Sequence, residues 1–209
     1  MGLLSLQKPY RRFARESAWL LETFEKSMDE LRVQPRPKDS VRLGAEMTII
    51  RLHDAWARFC RELIVLSAGG RPITMSGTRL PYAPGISCCS NVIPKLLTTY
   101  IKPRKAGDLK WAMPDQAIDM AKRLRVANYA TISAALAAVG SPIEELRLVR
   151  NFYAHRLKDT ADKLRTHSSY GPGRVLELES VAADFVPGGI SRMESWIISL
   201  KLVAEASIQ

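Results

Sequence analysis

Cysteine is scarce in this chain: 209 residues hold three, Cys60, Cys88 and Cys89. The number is odd, two are adjacent, and no CxxC or zinc-like spacing occurs, so neither a disulfide framework nor a structural metal site is implied. Three cysteines fit a reducing compartment. Histidine is equally rare, with His53, His155 and His167 the full set. There is no HExxH, no glycine-rich phosphate loop and no convincing Ser/His/Asp set, which removes the familiar zinc hydrolases, nucleotide-loop enzymes and triad hydrolases. No apolar run approaches transmembrane length. The start, MGLLSLQKPYRR, is too short and too soon basic for a signal peptide, and Leu6 stands where a myristoylation site wants Ser or Thr. Internal repeats and low-complexity segments are absent as well. The expectation is a cytoplasmic protein that keeps off membranes.

What the chain has is positive charge. Lys and Arg outnumber acids 31 to 21, a net +10, with a pI near 9.8. That balance favours phosphate-bearing partners. A chain of this length buries roughly 70% of its unfolded surface, so a single domain over residues 1–209 is expected. Its apolar residues recur in threes and fours, which predicts an all-α helical bundle.

Phe13, Leu20, Phe24 and Leu31 mark a helix from about Tyr10 to Arg32, closed by Pro35 and Pro37. Ala45, Ile49, Leu52, Trp56, Phe59, Leu63 and Leu66 mark a second from about Val41 to Ala68, ended by Gly69 and Gly70. His53, Asp54, Arg58 and Glu62 fall off that stripe and read as a solvated face. Residues 69–90 carry four Gly and three Pro and predict a long irregular loop. It fits equally a flap bearing Arg71, Arg79 and Tyr82 over a cleft, or a loop packed on the surface.

A short helix is expected from Val92 to Ile101, stopped by Pro103. The connection KPRKAGDLKW then sets Lys102, Arg104, Lys105 and Lys110 beside Trp111, a pairing that single-stranded RNA binding uses, although a solvated loop explains it too. An Ala-rich helix follows from Pro114 to Val139, with Ile118, Leu124, Ile132 and Leu136 as its larger apolar groups. RVLELESVAADFV, from Arg174, fits a short strand and a helix alike. Ser191 and Glu194 form a capping box for a last helix with Met193, Ile197, Leu200 and Ala204 inward.

The remaining stretch, Ser141 to Tyr170, organises the rest. Ser141 is a good N-cap, Pro142 suits the first helical position, and Glu144 completes a capping box. The predicted core face is Ile143, Leu146, Tyr153, Leu157 and Leu164, with Arg150 in the gap. A guanidinium in an apolar stripe keeps its proton and needs an anion. Asp54 or Glu62, crossing from the second helix, is one candidate. At about 100° per residue, Asn151 and His155 lie about 40° apart on the wheel and His155 about 140° from Arg150. Leu148 and Phe152 make the opposite side apolar too. A second copy of the chain would cover it and bring two Arg and two His together.

The string RNFYAH, from Arg150 to His155, resembles the signature of HEPN domains: an Arg, a polar residue, and a His four to six positions beyond the Arg. PDQAIDMAKRLRVANYATISAAL, from Pro114, is similar to the helix preceding the motif in some bacterial HEPN families. The two stretches cover about a seventh of the chain. The resemblance implies an all-helical HEPN-like bundle, a homodimer, and a metal-independent endoribonuclease that needs no cofactor and cuts RNA by attack of its own 2′-OH. It implies Arg150, Asn151 and His155 as the catalytic set. Arg147, Arg156 and Lys158 lie close in sequence and are expected to hold RNA phosphates. The resemblance further implies a toxin or phage-defence effector held by a cognate antitoxin or regulatory protein. The alternative is a non-catalytic HEPN-like dimer that binds RNA or nucleotides, or serves as a scaffold. A surface histidine or an arginine with its stem packed at the core edge explains each residue singly. Their joint occurrence with Asn151 favours a site.

Overall fold

The computed structural model describes residues 4–34, 38–99, 109–167, 169–170 and 176–209. Every regular element among them is helical: α1 (Gln7–Val33), α2 (Asp39–Gly69), α3 (Val92–Thr99), α4 (Pro114–Leu124), α5 (Tyr129–Ala137), α6 (Gly140–His155), α7 (Lys158–Thr166), α8 (Leu178–Val181) and α9 (Arg192–Ala206). The all-α expectation holds. Isolated bridges such as Ser5 with Ile73 are the only extended pairing among the described residues.

The chain divides into two compact units, each assembled from separated stretches: residues 1–14, 56–140 and 201–209 in one, and 15–55 and 141–200 in the other. Helices α1, α2 and α9 each supply residues to both. In the first unit the predicted stripes of α1 and α2 meet, with the rings of Phe13, Trp56 and Phe59 spaced 5.6–5.8 Å centre to centre. These distances suit tilted and edge-on aromatic packing. The Trp56 indole N–H donates to the Ala112 carbonyl at 3.1 Å, so a fully buried polar atom is satisfied. Helix α3 packs on α4, and α4 on α5.

The Ala-rich helix is two helices. Arg125 takes a left-handed conformation (φ 54°) and its N–H closes on Ala121 and Lys122, ending α4. Of the predicted apolar groups, Leu124, Ile132 and Leu136 are buried and Ile118 half-buried. The segment at 69–90 is packed structure within the first unit. Its Ile73 N–H donates to the Leu4 carbonyl, Met75 to Ile208 and Ala83 to Ala68, at 2.7–2.9 Å. Thr74, Leu80, Ala83 and Ile86 are buried, and Arg71 lies over the Tyr82 ring. Gly69 is required at its place: an added Cβ would stand 2.6 Å from the Cys88 backbone. Pro35, Pro37, Lys102, Pro103, Arg104, Lys105 and Arg174 lie outside the described residues. Among the described residues no helix is long and apolar enough to cross a membrane.

Candidate functional site

All six motif residues belong to the second unit. Helix α6 begins at Gly140, so Ser141 is inside it, and Glu144 turns from the expected capping box to grip Arg147 with both oxygens, at 2.8 and 2.5 Å. The inward face is Ile143, Leu146, Val149 and Tyr153. The helix is anchored by Glu145, a buried carboxylate that accepts from Arg192 at 2.8 Å and from the Trp196 indole at 2.7 Å. Both donors sit on α9. A buried charge is tolerated when paired and fully hydrogen-bonded, and Glu145 meets that condition.

The helix expected to carry its core face from Ile143 on to Leu164 is broken. After His155 the chain passes through Arg156 in a left-handed conformation (φ 49°) and Leu157 in an extended one before α7 starts. The cause is a charge. Glu46 of α2 is buried, and Arg156 pairs with it. A left-handed non-glycine residue costs roughly 1–2 kcal/mol, and satisfying a buried carboxylate offsets that. The break overturns two expectations: Leu157 is 60% exposed rather than core, and Leu164 is buried from a different helix. Leu148, expected to face away from the core, is already buried within its own chain. Phe152 is half-buried, its ring 5.1 Å from that of Tyr153.

Of the residues expected to bind phosphates, Arg147 and Arg156 are held by Glu144 and Glu46, and Lys158 is exposed at the start of α7. The Arg147 guanidinium donates a hydrogen bond that holds the Glu144 carboxyl below the usual carboxylate range. Arg150 is half-buried and donates to the Asn151 amide oxygen at 3.2 Å. Its Nε is buried without a hydrogen-bond partner among the described residues. Neither acid considered for it reaches it: Glu62 pairs with Arg12 at 2.6 Å, and the Asp54 carboxylate lies 3.6 Å from His53. His155 is exposed on the last residue of α6.

His53 is the residue that sequence reasoning placed on a solvated face. Its side chain is only 15% exposed. Burial holds it below the ordinary histidine range and the positive charge of Arg150 adds to this; Asp54 pulls the other way, and Arg147 lowers it least. The signal was present in the spacing: Glu46, Ile49 and His53 follow steps of three and four, so they share one face of α2. His167 accepts from the Ser169 N–H at 3.3 Å and finishes α7. Among the described residues no three of His, Cys, Asp and Glu gather as metal ligands would. Comparison with family models, curated proteins and solved structures found no match.

Proposed function

We propose that this chain is a HEPN-like, metal-independent endoribonuclease that works as a homodimer. The observation that supports it best is Arg150, a half-buried guanidinium bonded to its neighbour Asn151 and carrying a buried Nε with no hydrogen-bond partner among the described residues. Such a cation is completed by an oxyanion, and a phosphate matches its planar fork. RNA supplies its own nucleophile. A base takes the 2′-OH proton, Arg150 holds the charge that grows on the phosphorus oxygens, and an acid protonates the departing 5′-oxygen. His155 lies about 140° round the same helix from Arg150, so in the dimer it is the second copy's imidazole that takes part in this proton transfer. Asn151 positions the guanidinium. The dimer face we propose centres on Phe152 and Leu157, apolar groups flanking His155, with Leu148 withdrawn from it.

A second reading keeps the fold and the dimer but not the reaction: a module that binds RNA or nucleotides without cutting. The pairing of Arg147 and Arg156 with carboxylates favours it, since less free charge is left for the RNA backbone. Cleavage of RNA in EDTA separates the two. Arg150→Lys keeps the charge and loses the fork, so cleavage falls sharply while RNA binding partly survives. Cleavage unchanged in Arg150→Lys contradicts the assignment. As a nuclease with a basic surface, the chain would serve as a toxin or defence effector under the control of a cognate protein.

A further inference from the structure

We propose that His53 of α2 is a catalytic residue of this site, taking the 2′-OH proton while Arg150 holds the phosphate, so that one protomer supplies both the cation and the base. The inference rests on the nuclease reading for its reaction, and on the geometry of α2 and α6 for its placement. The Arg156–Glu46 ion pair ties the end of α6 to α2. From that tie, His53 lies about 10 Å along α2 and Arg150 about 9 Å back along α6. Both stretches belong to the second unit, and the Arg150 charge acts on the His53 ring, so these turns of α2 and α6 are neighbours.

Three further observations converge there. The His53 side chain is largely buried, and its Nδ1 has no hydrogen-bond partner among the described residues. The nearest carboxylate, Asp54, is 3.6 Å from that nitrogen, just beyond hydrogen-bonding distance, where a small rotation closes the bond and leaves Nε2 as the working atom. Arg150 brings an unsatisfied Nε of its own. The groups acting on His53 are Asp54 from its own helix and Arg150 and Arg147 from α6, and burial first, then Arg150, favours the neutral imidazole, the form a base needs.

The step balances. His53 Nε2 takes the 2′-OH proton as the O2′–P bond forms; the P–O5′ bond breaks as protonated His155 gives its proton to the leaving oxygen. The products are a 2′,3′-cyclic phosphate and a 5′-OH, and proton exchange with water resets both histidines. In this arrangement His53 and His155 divide base and acid between them.

The test has an arm that needs no activity. The Cε1–H resonances of the three histidines are assigned with His155→Ala and His167→Ala, and full-length protein is titrated with inorganic phosphate. A phosphate held by Arg150 raises the pH at which the His53 signal titrates, and Arg150→Gln abolishes the rise. In the kinetic arm, His53→Gln lowers cleavage of a single-stranded RNA roughly 100-fold and flattens the acidic limb of the pH profile, with melting temperature as the check on folding. If the wild-type protein cuts no RNA but His53 responds to phosphate through Arg150, the pocket stands and the nuclease reading fails. If it cuts RNA and His53→Gln keeps full activity with an unchanged profile, the proposal is overturned. Absence of any phosphate response at His53 overturns the pocket itself, whether or not the variants fold.

Discussion

Glu145→Ala is the substitution whose cost is best defined by the structure. The carboxylate is buried, with one oxygen on Arg192 at 2.8 Å and the other on the Trp196 indole at 2.7 Å. Removing it leaves the Arg192 guanidinium, 10% exposed, with Asp184 at 3.8 Å and the face of the Tyr170 ring for company. It also strands a buried indole N–H. Breaking a buried pair from one side costs about 3–5 kcal/mol. With a urea dependence of about 2 kcal/mol per molar, the unfolding midpoint should fall by roughly 1.5–2.5 M. That is a large part of an ordinary stability of about 5–15 kcal/mol. Glu145→Gln should cost less, because an amide still accepts from one donor. The double variant Glu145→Gln with Arg192→Met should be more stable than Glu145→Ala, since no lone charge is left inside. A midpoint for Glu145→Ala within about 0.5 M of wild type, near 1 kcal/mol, would refute the claim that this carboxylate anchors α6 to α9.

Arg156→Gly relieves the left-handed turn but strands buried Glu46, so it should destabilise the protein by about 1–3 kcal/mol; a fully stable variant would show that Arg156 serves RNA and not the fold. Stability should also fall on acidification. His53 has a folded-state pKa below its unfolded value of about 6.5. As pH drops below the unfolded value the unfolded chain binds the proton first, and the loss continues down to the folded value. His53→Gln should remove this part of the slope in urea titrations between pH 7 and about 5, and an unchanged slope contradicts the buried neutral imidazole. Light scattering should give twice the 23.4 kDa chain mass, reduced by Leu157→Asp; a concentration-independent monomer mass for wild type excludes the dimer.

The helices were legible because their apolar groups repeat: Phe13, Leu20 and Phe24 on α1, and Ala45 through Leu63 on α2, are buried as their spacing demanded. The Ser191 cap was legible as well, its hydroxyl accepting from the Glu194 N–H at 3.1 Å. What failed was the end of α6. Arg156 carries no mark of a helix stop, neither Gly nor Asn, and the group that draws it into a left-handed turn, Glu46, lies 110 positions earlier in the chain. Tertiary charge pairing overrode local propensity. Arg125 breaks the Ala-rich stretch with no local warning either. His53 and Glu145 were passed over because each flanks a strong apolar stripe, and a residue beside a stripe is read as solvated until a second element covers it. The segment at 69–90 was legible as irregular from its Gly and Pro, but its hydrogen bonds to Leu4 and Ile208 join chain ends that no local pattern connects.

The measurement closest to the central claim is cleavage of a single-stranded RNA in EDTA by wild type and His155→Ala, with product ends identified by mass spectrometry and a 2′-O-methyl RNA as control. The account predicts 2′,3′-cyclic phosphate ends, no cutting of the methylated strand, and a loss of roughly 100-fold or more in His155→Ala with its melting temperature kept. Cleavage undiminished in His155→Ala, or cutting of the methylated RNA, would contradict it.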